Sequence, residues 1–197
     1  MRIVQIIDSL DVGGAERMAV NYANSLADKI EFSGLISTRN EGLLLDQLDQ
    51  KVIYLFLKKK STVDLRAIFR LRNYLKKNKV QFIHAHSSSF FIAVLVKVTM
   101  PKLKIIWHDH YGISQNLSLR KNIVLKLSSF LFSGIISVND SLKKWAKNYL
   151  NCKNIIYFPN FIIESATPLS IGQLKGKEGQ RIICVANLRP QKNHNLL

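Results

Sequence analysis

A chain of 197 residues with 47% hydrophobic side chains is long enough for one domain with a real core and short for two, and nothing in it reads as disordered. Its 29 lysines and arginines against 13 acidic residues leave a formal charge of +16, which points to an anionic partner: nucleic acid, anionic phospholipid or a phosphorylated substrate. No arginine-rich tail or glycine/aromatic RNA signature accompanies that charge, so nucleic acid ranks last and the expectation is no nucleic-acid partner.

Two cysteines, Cys152 and Cys184, make no disulfide framework and fit a reducing compartment. Asp8 follows IVQII too early for a signal peptide, and the apolar run Phe90–Val96 is too short to cross a bilayer. A cytoplasmic protein is expected, with a peripheral place at the inner face of the membrane as an option.

The first strand is RIVQII, Arg2–Ile7. Ala15, Ala19, Tyr22 and Leu26 then share one helical face. FSGLIS (Phe32–Ser37) and KVIYLF (Lys51–Phe56) read as strands, with a short helix between them at Gly42–Leu48. Ser61 or Thr62 is placed to cap a helix whose apolar stripe is Leu65, Ile68, Phe69, Leu71 and Leu75. QFIHAH (Gln81–His86) is the next strand, and Ser87–Ser89 cap the apolar helix after it. KIIWH (Lys104–His108), an amphipathic helix at Leu119–Phe132, GIISV (Gly134–Val138), a helix at Asp140–Leu150 capped by Asn139 or Asp140, and NIIYF (Asn154–Phe158) complete the series.

Strands alternating with helices predict an α/β fold: a Rossmann-like parallel sheet with helices on both faces. Three segments are expected: a domain over 1–163, a linker over 164–180 rich in glycine and proline, and at 181–197 the opening strand and turn of an incomplete second domain.

Ligands of an open parallel sheet bind beyond the carboxyl ends of its strands. After the first strand, Gly13-Gly14 directly precedes a helix. That pair serves equally as a tight turn or as a close backbone approach to an anion at a helix N-terminus. It is not the dinucleotide fingerprint G-x-G-x-x-G, which argues against a nicotinamide dehydrogenase. His84 and His86 lie two apart, as do His108 and His110 around Asp109. Pooling them would make a metal site, but no helical His-Glu-x-x-His spacing or cysteine pair supports one, so no metal is expected. His84, inside its strand, reads as a core histidine satisfied by backbone. His86, His108 and His110 sit at strand ends, within a ligand's reach. Arg189 and Lys192 follow the last strand, where a planar fork and a point charge suit a diphosphate; the alternative is a solvated basic turn.

In order along the chain stand Gly13-Gly14-Ala15-Glu16-Arg17, HAHS at His84–Ser87, WHDH at Trp107–His110, SVNDSLKKW at Ser137–Trp145, FPNFI at Phe158–Ile162 and VANLRPQKNHNLL at the end. With these the chain resembles the glycosyltransferases of family 4, two-domain enzymes of the GT-B type. The resemblance implies that 1–163 is the acceptor-binding, N-terminal half of a GT-B fold and that the second domain is truncated. It implies transfer of a sugar, with retention, from a nucleotide-sugar donor to a glycan or lipid-linked acceptor in cell-surface polysaccharide biosynthesis. No cofactor or metal is implied. By the same resemblance Gly13, Gly14 and Glu16 lie near the donor phosphate and the acceptor. His108 faces the transferred sugar, with His86, His110 and Asp109 around that cleft, and Arg189 with Lys192 neutralises the diphosphate.

The chain departs from the family at Ala186-Asn187-Leu188, where Gly-Arg-Leu is usual; Arg189 comes two residues later and regains the same strand face. The family's paired glutamates are absent, so the 197-residue chain alone is expected to be inactive. The Leu119–Phe132 helix reads first as a core-facing helix with solvated lysines, the alternative being a peripheral helix resting on anionic membrane. The alternative function is a non-catalytic module that binds such a membrane or an acceptor lipid.

Overall fold

The computed structural model describes residues 1–112, 117, 120, 123–163, 176–177 and 179–181. The chain divides into two units, Met1–Ile162 and Ile163–Leu197, and the architecture that follows is that of the first. The expected linker at 164–180 and the expected strand and turn at 181–197 lie outside the described residues, apart from the few named above.

Seven parallel strands form one sheet in the order β3-β2-β1-β4-β5-β6-β7. They are β1 (Arg2–Ile7), β2 (Phe32–Ser37), β3 (Ile53–Phe56), β4 (Phe82–His86), β5 (Lys104–Asp109), β6 (Phe132–Ser137) and β7 (Ile155–Tyr157). The helices are α1 (Gly14–Ala27), α2 (Leu65–Lys77), α3 (Phe90–Thr99), α4 (Ile123–Ser128) and α5 (Asp140–Tyr149). The expected Rossmann-like α/β fold is therefore present. Strand order reverses between β1 and β4, and that reversal opens a crevice at the carboxyl edge.

Side chains alternate across each strand, so the sheet has two different faces. Val4, Ile6, Ile36, Ile83, Ala85, Ile105, Trp107 and Ile135 join residues of α2, α3 and α5 in the larger core. Ile7 and Leu35 join Ala19, Val20 and Ala23 of α1 in a smaller one. Beyond that smaller core, the α1 face of β4 and β5 carries histidines instead of aliphatics.

Two local expectations are corrected. The cap of α2 is Asp64, whose carboxylate accepts from Ala67 N at 3.0 Å, and not Ser61 or Thr62. A carboxylate one residue before the helix reaches an orphan N–H that Ser61 and Thr62 are too far upstream to meet. Of the amphipathic helix expected at Leu119–Phe132, the described residues show α4, then a 3₁₀ turn at Ser129–Leu131, while residues 119, 121 and 122 lie outside the described residues. Phe132 already belongs to β6, because it pairs with Ile105 and packs on Trp107. At α5 the expected cap holds: Asn139 accepts from Leu142 N at 2.8 Å. Among the described residues no helix is long and apolar enough to cross a membrane.

Candidate functional site

Register brings the two histidine pairs together. His86 lies directly beside His108 across the β4–β5 ladder, and Gln5 of β1 lies beside His84. The rings of His84 and His108 stack at 5.1 Å with 7° between their planes, and His110 lies 4.0 Å from His108. Tyr22 of α1 covers the group edge-on, 4.8 Å from His84 and 5.7 Å from His108. Phe161, beyond β7, packs on Tyr22 at 5.1 Å, and its carbonyl accepts from Asn21 Nδ2 at 3.0 Å.

Burial sets the charge state here. His86 and His108 are fully buried and His84 is 4% exposed. Desolvation pushes His84 down to about 3 and His110 down to about 4, with the charge of His110 adding to the effect on His84. The same burial, then the neighbouring rings, holds His86 and His108 well below the ordinary imidazole range. Near neutral pH all four rings are therefore uncharged. Burial also pushes the Tyr22 phenol up to about 12.

A neutral imidazole has one donor and one acceptor nitrogen. With the Gln5 oxygen facing it, His86 donates from Nε2 to Gln5 Oε1 at 3.0 Å, leaving Nδ1 to accept from His110 Nε2 at 3.1 Å. His84 Nε2, both nitrogens of His108 and Gln5 Nε2 are buried without a partner among the described residues. The expectation that His84 is satisfied by backbone thus fails at Nε2. A buried orphan of this kind costs about 1–3 kcal/mol unless water, an ion or a ligand meets it.

The remaining expected residues divide. Gly13 and Gly14 occupy the entry to α1 at the same carboxyl edge, and Glu16 folds back so that a Cβ on Gly13 would stand 3.0 Å from its Cδ. Asp109 faces away from His108 but lines the same cavity as His110. As an odd neighbour between His108 and His110 it points to the other face, 1% exposed, where Arg120 grips it at 2.7 and 3.0 Å. Arg120 is itself sandwiched between Tyr111 at 4.3 Å and Trp145 at 4.2 Å. Arg189 and Lys192 lie outside the described residues.

A cavity of about 1030 Å³ opens at the end of β5, lined by Ser88, His110, Tyr111, Arg120, Ile123 and Val124 among others. Four contributors escaped the reading of the sequence: Gln5, Tyr22, Arg120 and Gly42. Gln5 carried a signal, a polar residue midway along an otherwise apolar buried strand. Gly42 packs where a Cβ would meet the Leu10 backbone carbon at 2.5 Å, so only glycine lets the loop after β2 pass the loop after β1.

The parallel sheet, with polar groups gathered at the carboxyl ends of its strands, is of the doubly wound Rossmann-like class, whose ligands bind at that edge. The sequence profile described as Glycosyltransferase Family 4 matches residues 12–165, more than half of the chain. The chain belongs to glycosyltransferase family 4. No curated protein sequence matches it.

Solved structures share the fold. A glycosyltransferase from Rickettsia africae is 19% identical with a TM-score of 0.58, over 80% of this chain and 42% of that one. HepE from Anabaena, solved with UDP and glucose, is 13% identical with a TM-score of 0.60, over 82% and 45%. The UDP-GlcNAc 2-epimerase of Methanocaldococcus jannaschii is 13% identical with a TM-score of 0.53, over 80% and 45%. This chain thus spans less than half the length of these neighbours, and at such identities the likeness is one of fold, common to a transferase and an epimerase.

Proposed function

We propose that the protein forms the acceptor side of a retaining glycosyltransferase, moving a sugar from a nucleotide-sugar donor to a glycan or lipid-linked acceptor. The observation that carries this is the uncharged histidine group, with its unpartnered nitrogens, at the switch point where α1 begins. As the bond to the sugar opens, positive charge grows on the ring carbon and oxygen and negative charge on the diphosphate. A neutral His108 offers the sugar a dipole without the repulsion a charged ring would exert. The Gly13-Gly14 entry to α1 offers backbone N–H groups to the phosphates. Arg189 and Lys192 are read as the cations opposite the leaving group. No metal or cofactor has a part in this reading.

The acceptor is read as lipid-linked, at an anionic membrane surface. Ile123, Val124, Leu127 and Phe130 are 76, 54, 65 and 68% exposed along α4 and its following turn. Ile123 and Val124 also line the cavity that His110 lines, so an apolar outer face leads to the polar pocket. With a charge of +16, that face suits anionic lipid. The same observation favours the second reading, a non-catalytic module that holds such lipid.

The test is release of nucleoside diphosphate from a panel of nucleotide sugars, by a polypeptide carrying these residues together with a family-type second domain. Acceptor-dependent release is expected, and none from residues 1–197 alone. Full turnover by the 197-residue chain would overturn the divided active site. Sedimentation with anionic vesicles but no turnover by the longer polypeptide would favour the non-catalytic module.

A further inference from the structure

We infer that His84, His86 and His108 form a transition-metal site, with Zn²⁺ the fitting ion. Among the described residues these three alone make such a group, and one ring nitrogen of each lies within 4.8 Å of the others. Neutral imidazoles with bare nitrogens are what zinc binds, and three histidines with an open fourth position make a known zinc ligand set.

The orphan atoms point the same way. His108 is fully buried with neither nitrogen partnered, and His84 Nε2 is likewise without a partner. Tetrahedral Zn–N bonds of about 2.0–2.1 Å separate ligand nitrogens by about 3.3 Å. The three nitrogens lie within 4.8 Å of one another, so binding requires them to draw together by up to about 1.5 Å. Gln5 already supplies the outer support that metal-bound histidines use, accepting from His86 Nε2 at 3.0 Å so that Nδ1 is the bare nitrogen. His110 touches that Nδ1 at 3.1 Å and lines the cavity, so its displacement is the way in. No carboxylate joins the set, which disfavours Mg²⁺ and Ca²⁺ and leaves the fourth position to water or an anionic oxygen. Insofar as the transfer reading holds, Zn²⁺ and the sugar compete for His108, and the metal is an inhibitor.

The test uses the full 197-residue chain and the metal alone. Competition against a chromophoric chelator should give one equivalent of bound Zn²⁺, and Co²⁺ should give the intense visible bands of a four-coordinate site. His84→Ala and His108→Ala should each weaken Zn²⁺ binding by about 100-fold or more, given that even outer partners of metal ligands are worth about 10–100-fold. Gln5→Ala should weaken it by about tenfold through the orientation of His86. His194→Ala, which removes the histidine remaining outside this group and His110, should change nothing. Since the first two variants disturb a buried site, the unaltered chain supplies a second readout: imidazole nitrogen resonances of three histidines must move together with one equivalent of Zn²⁺. Absence of stoichiometric binding, binding indifferent to His108→Ala, or loss on His194→Ala would overturn the site. Because none of these readouts is sugar transfer, their failure leaves the transfer reading untouched.

Discussion

The two faces of β5 differ in how their buried polar groups are met. On the face covered by α2, α3 and α5, Trp107 is buried with its Nε1 donating to Ser87 O at 2.9 Å, and Asp109 is closed by two bonds from Arg120. Ser137 Oγ, level with Asp109 on β6, is the orphan of that face among the described residues. On the face covered by α1, one residue away at each step, neither nitrogen of His108 has a hydrogen-bond partner among the described residues. One face holds its charged and aromatic groups in place, with Ser137 Oγ as its exception. The other leaves polar atoms waiting, and such unsatisfied sites are where stability is given up for binding.

The largest expected effect is acid sensitivity from the α1 face. The histidines there have folded pKa values below the ordinary imidazole value, so the unfolded chain takes up protons that the folded chain refuses. Stability is fully present above about pH 6.5 and falls as pH drops toward the folded values, by about 1.4 kcal/mol per pH unit for each ring that stays neutral. Urea midpoints at neutral pH and about one and a half units lower measure this. His84→Phe should flatten the slope by about one proton. An unchanged midpoint across that range would erase the contrast between the faces.

Next comes the satisfied face. Arg120→Ala or Asp109→Ala alone should cost about 3–5 kcal/mol, because each leaves a buried charge unpaired. Asp109→Leu with Arg120→Met should recover most of that loss, and the double variant should leave the pH slope unaltered. A loss under about 1 kcal/mol from Arg120→Ala would mean that the pair behaves as a surface bridge. Smaller still, Gly42→Ala should cost about 1–3 kcal/mol by pressing a methyl on the Leu10 backbone at the edge both faces share. Smallest, Asn139→Ala should remove a single cap for about 1 kcal/mol and leave both faces as they are.

The alternation of strand and helix, and so the sheet, was legible because buried parallel strands read as apolar runs. Two histidines two apart were legibly on one side. Their meeting across strands was not, because it depends on His86 lying level with His108, and periodicity carries no register. Arg120 carried no signal of its own in the sequence. Its packing against Trp107, Tyr111 and Trp145 needs residues distant in sequence, which no local pattern reveals. Tyr22 was placed on the buried side of α1, but its role as a lid over the histidines follows only once α1 is seen to lie across β4.

The most direct measurement is sugar transfer by a polypeptide of full family length, with and without His108→Ala, with thermal unfolding followed in parallel. The expected result is a fall in kcat of about 100-fold or more with the unfolding midpoint kept, as when a group beside the developing charge is removed. Transfer within about twofold of the unaltered polypeptide would contradict it, and would leave the α1 face of β5 without a part in the reaction.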